Sequence, residues 1–317
     1  DQHAAVEDVA ARPEVMSRLL LPDLQQFPAP DEDAMNAIHA APPRVRDLHD
    51  LPSPNPAQRR LIQFALCGLR RPLPPLLVYG PWGTGKTLTL VLTTLQIAHR
   101  APDARILIAT HTNSAADLFI DCYNSYFRRC GMKVCRVSSR TQGASRAVEE
   151  CSLPSPSLEQ LRSCQVVITT LSSARKIRSQ DPTAELFTHI FIDEGGQASE
   201  PEALQAVACA GPRTCLIIAG DHKQMHCATS SAFARERGRD LQSLLTRLFA
   251  YYRDQQEAGA LRPLMNVNYR SHPDIVAFVG KTFYKQQIEA EGPRLSSSTL
   301  RLLGPFKPLH FIQAGPA

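Results

Sequence analysis

The sequence predicts an α/β fold: one layered sheet of parallel strands flanked by helices. Two observations predict it. Six short apolar, β-branched runs punctuate the chain, at Leu76–Tyr79, Arg105–Ala109, Lys133–Val137, Gln165–Thr169, His189–Asp193 and Thr214–Ala219. Most are followed by helix-length stretches with helical periodicity of apolar residues, such as Thr87–His99, Asn113–Arg129 and Ser231–Phe249. Strands that alternate with helices are joined by crossovers, and crossovers make neighbouring strands parallel. With 317 residues the chain is long enough for one large domain or two modest ones.

Taken in order, residues 1–53 are rich in proline and acid, with a helix expected near Glu14–Leu21 and no other placeable element. The α/β rhythm occupies 54–262. It is interrupted at about 142–161 by a Ser- and Pro-rich stretch that reads as a small surface insertion. No apolar run is long enough to cross a bilayer. The chain opens at Asp1 without Met or a signal-peptide pattern and is read as an internal piece of something longer. Nine scattered cysteines with no CxxC pair suit free thiols in a reducing compartment, cytoplasmic or nuclear.

The net charge of +5 hides an asymmetry. Residues 1–50 carry ten acids against four Lys and Arg, which leaves 31 basic and 20 acidic residues for the remainder. From Arg128 to Arg146, through Arg129, Lys133, Arg136 and Arg140, no acid intervenes, and Arg175, Lys176 and Arg178 form a second cluster. Such runs read either as solvated loops or as attraction to a polyanion such as nucleic acid.

The first stretch that carries chemistry is GPWGTGKT: Gly80, Pro81, Trp82, Gly83, Thr84, Gly85, Lys86 and Thr87. It fits the pattern G-x-x-x-x-G-K-[ST] and stands between a strand and a helix, the context in which such a loop cradles phosphates. Glycines let successive N–H groups turn onto a phosphate, Lys86 neutralises the β- and γ-phosphates, and the Thr87 hydroxyl reaches Mg²⁺. The following helix adds its positive N-terminal end. ATP and Mg²⁺ are therefore the expected cofactors.

This loop gives meaning to IFIDEGGQ, residues 190–197. Alone, acids at the end of a buried strand would cap the next helix. In a parallel sheet with a phosphate loop, strand C-termini share one edge, so Asp193 can hold Mg²⁺ and Glu194 can orient or deprotonate the attacking water. A third strand ends in AGDHKQ, placing Gln224 to feel the γ-phosphate and that water. His222, His226 and Cys227 lack further ligands at zinc spacing.

GPWGTGKT, THTNSAAD (110–117), VITTLSSA (167–174), IDEGGQASEPE (192–202), AGDHKQ (219–224) and NYRSHP (268–273) occur in the order of superfamily 1 helicase motifs. The chain resembles the up-frameshift group of that superfamily, and within it the helicase-with-zinc-finger type, judged by HTNSAADLFI and by SAFARERGRD at 231–240. The resemblance runs from Pro54 to the C-terminus. It implies a P-loop, RecA-like domain over 54–262 and the start of a second RecA-like domain at 263–317, ending soon after the strand-like PLHFIQ. It also implies that Gln58 reads the adenine edge, Tyr269 stacks on adenine and Arg270 reaches the γ-phosphate. Thr112 and Asn113, with Thr169 and Thr170, match positions that touch the nucleic-acid backbone, contacts that carry no base information.

Two departures stand out. Gly195–Gly196 replaces a usual small residue, which is expected to be harmless or to loosen the turn, and Met225–His226 alters the path after Gln224. The resemblance implies an ATP-dependent helicase core moving 5′ to 3′ on single-stranded nucleic acid, RNA before DNA, with protein partners through absent flanks. With the later motifs missing, Tyr269 and Arg270 are expected on a mobile tail. A nucleotide- and RNA-binding scaffold or co-regulator of transcription or RNA decay is the alternative, which the intact Lys86, Asp193, Glu194 and Gln224 disfavour. A small-molecule kinase would share the phosphate loop but would not explain GDHKQ or NYRSHP.

Overall fold

The structure, a computed structural model, describes residues 2–38, 51–138, 143–224, 227 and 242–291. Arg140, Gln142, Met225, His226, the 231–240 stretch and PLHFIQ lie outside them. Six parallel strands form the central sheet: β1 (Leu76–Tyr79), β2 (Ile106–Thr110), β3 (Val134–Val137), β4 (Val166–Thr170), β5 (Phe187–Asp193) and β6 (Ala210–Gly220). Their order is β1-β6-β5-β2-β4-β3. Nearly every residue of these strands is buried, as both faces of a helix-covered parallel sheet require.

The expected strands agree with the observed ones within a residue or two, except that β6 begins four residues before Thr214. Helices α4 (Pro56–Gly68), α5 (Lys86–Arg100), α6 (Asn113–Arg129), α9 (Ala174–Gln180), α10 (Glu200–Val207) and α11 (Leu244–Arg253) cover the sheet. The register aligns the strand C-termini. Tyr79 pairs with Gly220, Ile192 with Ile218, and Thr110 with both Asp193 and Thr170. The loops after β1, β6 and β5 therefore adjoin one another, and those after β2, β4 and β3 continue the same edge.

The first 53 residues hold more structure than expected. Helix α2 (Pro13–Leu20) coincides with the expected one, but α1 (Gln2–Ala10) and α3 (Glu32–Asn36) also form. Two arginines dock this segment at the start of β6. Arg12 donates to Ala208 O and Ala210 O at 2.6 and 2.7 Å, and Arg18, only 2% exposed, donates to Leu73 O and Thr214 O. Burial is what pushes the Arg18 pKa below its ordinary value. Carbonyls at strand ends accept these bonds in place of water, so two basic residues stitch an acidic segment to the core.

The 142–161 stretch is likewise less peripheral than expected. It carries α7 (Arg146–Cys151) and α8 (Leu158–Arg162), with Val148, Cys151 and Leu161 buried, and Leu153 N donates to Arg136 O at 2.8 Å. After α11, a second, two-stranded parallel sheet forms from β7 (Val267–Asn268) and β8 (Glu289–Ala290), joined by α12 (Pro273–Phe283). Val276, Val279, Tyr284 and Ile288 make its own small apolar cluster.

Candidate active site

At the end of β1 the chain turns through Gly80–Gly85 into α5. Gly83 and Gly85 have φ of +74° and +79°, a left-handed backbone that side chains with a Cβ resist. Thr84 Oγ1 ties the loop by donating to Pro81 O at 2.8 Å. Lys86 is 9% exposed, and its Nζ donates to Gly80 O and Pro81 O at 2.8 and 3.1 Å. A buried ammonium held by carbonyls beside a helix N-terminus is a positive pocket suited to an anion.

The loop meets the acidic end of β5 directly. Thr87 Oγ1 donates to Asp193 Oδ2 at 2.7 Å. Asp193 is 3% exposed, and burial first, then the neighbouring Glu194 charge, push its pKa up to about 6, against the Thr87 hydrogen bond and Lys86. A hydroxyl and a carboxylate side by side are hard oxygen donors of the kind Mg²⁺ takes alongside phosphates and water. Glu194 adopts φ +57°, unusual for a residue with a side chain. Its N–H donates to Asp193 Oδ1 and its Oε2 accepts from Gln197 Nε2, both at 3.0 Å.

Gly195 and Gly196 do not loosen this turn. A Cβ on Gly195 would lie 2.6 Å from Ile218 Cγ2, and one on Gly196 would lie 2.5 Å from Asp221 O. The pair lets the acidic turn press against the end of β6, with Gly195 N donating to Ala219 O at 2.8 Å. At that end Gln224 Nε2 donates to Asp221 Oδ2 at 2.6 Å. His222 stacks on Phe249 with ring centroids 4.0 Å apart.

The NYRS stretch is not a mobile tail. Asn268, 2% exposed, donates from Nδ2 to Trp82 O at 2.6 Å and accepts from the Arg270 and Ser271 amides at 3.0 and 2.9 Å. Tyr269 N donates to Gly83 O at 2.8 Å, and Trp82 Nε1 donates to Ser271 Oγ at 3.0 Å. The phosphate loop itself is the docking surface, so this stretch is held before any later motif is present. Tyr269 Oη accepts from Asn55 Nδ2 at 2.9 Å, closing the gap to α4. Gln58 is buried there; its Oε1 accepts from Asn55 N at 2.9 Å, and its Nε2 faces Gly85.

Of the four residues matched to nucleic-acid contacts, the structure separates one. Thr169 is fully buried and its hydroxyl donates to Val137 O at 3.0 Å, so it belongs to the β4–β3 packing and not to a surface. Thr170, 5% exposed, caps the turn that follows through Ser173 N, which leaves Ser172 exposed beside it. Thr112 is exposed and caps α6 through Ala115 N, while Asn113 Oδ1 accepts from Arg136 Nη2 at 2.9 Å.

The basic run is also mostly engaged. Arg136 is buried, with Nε 2.8 Å from Asp117 Oδ1. Arg129 lies over the Tyr126 ring, Lys133 donates to Ser163 Oγ, and Arg146 pairs with Glu150. In the second cluster Arg178 pairs with Asp8 at 3.0 Å. Sequence reasoning missed Asn268 and Ser271 as the latch on the loop, and Asp221 as the partner of Gln224. All three stand inside the quoted motifs, and only their partners were not visible.

Residues 53–160 and 155–232 match the family described as AAA domain. The chain is 34% identical over 277 residues to a probable helicase with zinc finger domain of Danio rerio, covering 83% of this chain and 15% of that protein. It is 37% identical over 283 residues to the 3'-5' exoribonuclease HELZ2 of Mus musculus, covering 80% and 9%. It is 33% identical over 275 residues to the RNA helicase Mov10l1 of Mus musculus, covering 81% and 23%. The chain thus spans less than a quarter of each of these relatives. With the phosphate loop joined to the acidic strand end and the helicase motifs along one sheet edge, the chain belongs to the AAA-domain family of up-frameshift-like superfamily 1 helicases.

Proposed function

We propose that this chain is the ATP-hydrolysing core of an RNA helicase moving 5′ to 3′ on single strands, with 54–262 as its first RecA-like lobe and 263–317 opening a second. The observation that carries the reading is the Thr87–Asp193 hydrogen bond of 2.7 Å, which joins the phosphate loop to a carboxylate whose chain neighbour is a second carboxylate.

In this reading Lys86 leaves the carbonyls of Gly80 and Pro81 for the β- and γ-phosphates. Thr87 and Asp193 hold Mg²⁺, which when bound supplies charge neutralisation at the phosphate oxygens. Glu194, fixed by Gln197, takes the proton of the attacking water, and Gln224 orients that water. Arg270 serves the γ-phosphate from the second lobe, Tyr269 covers the adenine, and Gln58 meets its edge with Nε2. RNA runs along the β2–β4 side of the same edge, over Thr112, Asn113 and Thr170, with Ser172 in the place first given to Thr169. Sugar and phosphate contacts of this kind bind without base preference.

Fluorescent-nucleotide titration tests the first step. Wild-type chain binds ATP in a Mg²⁺-dependent manner and Lys86→Ala binds at least tenfold more weakly, in the range of one lost charge-assisted hydrogen bond. Equal affinities would remove the phosphate loop from the account.

A further inference from the structure

The Tyr284 hydroxyl reaches across from the small second sheet to the main one. Tyr284 follows α12, is 6% exposed, and packs its ring with Val276, Val279 and Ile288. Its Oη donates to Asp221 Oδ2, the same oxygen that accepts from Gln224 Nε2 at 2.6 Å. Asp221 is 5% exposed, and its other oxygen accepts from Lys223 N at 2.9 Å. Burial first, and then the bond to Asp221, raise the Tyr284 pKa above its ordinary value, so the phenol keeps its proton and remains the donor.

We propose that Tyr284 is a positioning residue for hydrolysis, coupling the second lobe to Gln224 through the shared carboxylate oxygen of Asp221; this rests on the reading that Gln224 orients the attacking water. A carboxylate can only accept, so it binds the amide nitrogen of Gln224 and forbids the flipped amide. The remaining atom, Oε1, is an acceptor, the polarity a water needs when it must donate. Asp221 performs this sorting only while its own orientation is set. Three donors set it: the Lys223 amide on the same loop, Gln224 itself, and Tyr284 from the other lobe. The acidic turn leans on the same point, since Gly196 approaches the Asp221 backbone too closely for a Cβ. Docking of the second lobe therefore fixes the γ-phosphate side of the site through a hydroxyl that acts on Gln224 by way of Asp221. Departure of that lobe removes one of the three donors and frees the carboxylate to turn.

The test compares ATP hydrolysis by full-length protein carrying Tyr284→Phe, Gln224→Ala or both, with single-stranded RNA present. Tyr284→Phe keeps the ring in its apolar cluster and deletes only the oxygen. Loss of one charge-assisted hydrogen bond predicts a kcat about tenfold lower. KM for ATP should stay within about twofold of wild type, because the Tyr284 hydroxyl bonds Asp221, and no hydrogen bond joins it to the phosphate loop among the described residues. The double variant falls no further than Gln224→Ala, since both changes act on one group. Should Tyr284→Phe fold poorly, Asp221→Asn, of equal volume, removes the carboxylate that Gln224 and Tyr284 share, and a wild-type kcat there overturns the proposal. Hydrogen exchange at the Lys223 amide, faster in Tyr284→Phe, reports the loosened carboxylate independently of turnover. A wild-type kcat in Tyr284→Phe, a drop that multiplies with that of Gln224→Ala, or an effect confined to KM overturns the proposal. Glu194→Gln separates the two levels: full activity in that variant sinks the hydrolysis site itself, whereas loss there with an unaffected Tyr284→Phe sinks only the coupling.

Discussion

Asn268→Ala should unlatch the NYRS stretch from the phosphate loop. Asn268 makes three hydrogen bonds, one to Trp82 O and two from the Arg270 and Ser271 amides, at 2.6, 3.0 and 2.9 Å, and is 2% exposed. Only the bond to Trp82 O crosses to the loop, while the other two shape the turn that seats Tyr269 there; at about 1 kcal/mol net for each, losing the crossing bond and the turn together removes about 3 kcal/mol from the docked state. A difference of that size shifts local opening by about a hundredfold. The reporter is the Tyr269 amide, which donates to Gly83 O at 2.8 Å only while the stretch is docked. Native-state hydrogen exchange at Tyr269 should be about a hundredfold faster in Asn268→Ala, while amides in β5 keep wild-type protection. Affinity for a fluorescent ATP analogue should fall in parallel, because Tyr269 loses its place against the site. Unchanged exchange at Tyr269, within about threefold, would mean that the latch does not hold the stretch and that the lobe stays down for another reason.

Four further outcomes follow from the same geometry. Glu194→Gln should keep Mg²⁺-dependent ATP binding while slowing hydrolysis on the order of 10²-fold, the scale of a lost general base, and equal turnover in a phosphate-release assay contradicts that role. Thr169→Val should lower the melting temperature modestly, because it removes one of two side-chain donors to the buried Val137 carbonyl and leaves only Arg136, yet leave RNA affinity unchanged; weaker RNA binding would return Thr169 to the surface. Thr112→Asp keeps a helix-capping side chain but sets a negative charge on the proposed RNA path, so RNA affinity by anisotropy should drop about tenfold without a loss of helix content. His189, fully buried between Thr188 and Ala65 O, has its pKa pushed down to about 4 by burial from an ordinary 6.5. The unfolded chain therefore binds its proton first, so this stability is whole above pH 6.5 and is lost as pH falls towards about 4, by about 3 kcal/mol. Urea unfolding of wild type and His189→Gln across that range measures it, and parallel pH profiles would refute it.

What was legible in the sequence was whatever local pattern encodes. The limits of β1 and α6 were read as they stand, because an apolar run before a glycine loop and a helical periodicity of apolar residues are contiguous signals. The meeting of Thr87 with Asp193 followed from parallel topology once both motifs were seen. Long-range burial was not legible. Thr169 and Thr170 are adjacent hydroxyls at one strand end, and only the neighbouring β3 decides that Thr169 is sealed beneath Val137. Arg136 sits in the run VCRV, where its charge marked a surface; Asp117 and Asn113 at the start of α6 satisfy it inside. The docking of α1 and α2 rests on Arg12 and Arg18 reaching carbonyls nearly two hundred residues away. Nothing in the composition of an acidic, proline-rich segment announces that. The latch of Asn268 on Trp82 was hidden for the same reason, since the two motifs were quoted but their contact was not encoded in either.

The most direct test of the central claim is steady-state phosphate release by full-length protein, with and without single-stranded RNA, in wild type and Glu194→Gln. The account predicts turnover that RNA accelerates in wild type. It also predicts its collapse in Glu194→Gln while a filter-binding assay shows ATP still held. RNA-independent turnover, or turnover that survives Glu194→Gln, would contradict it.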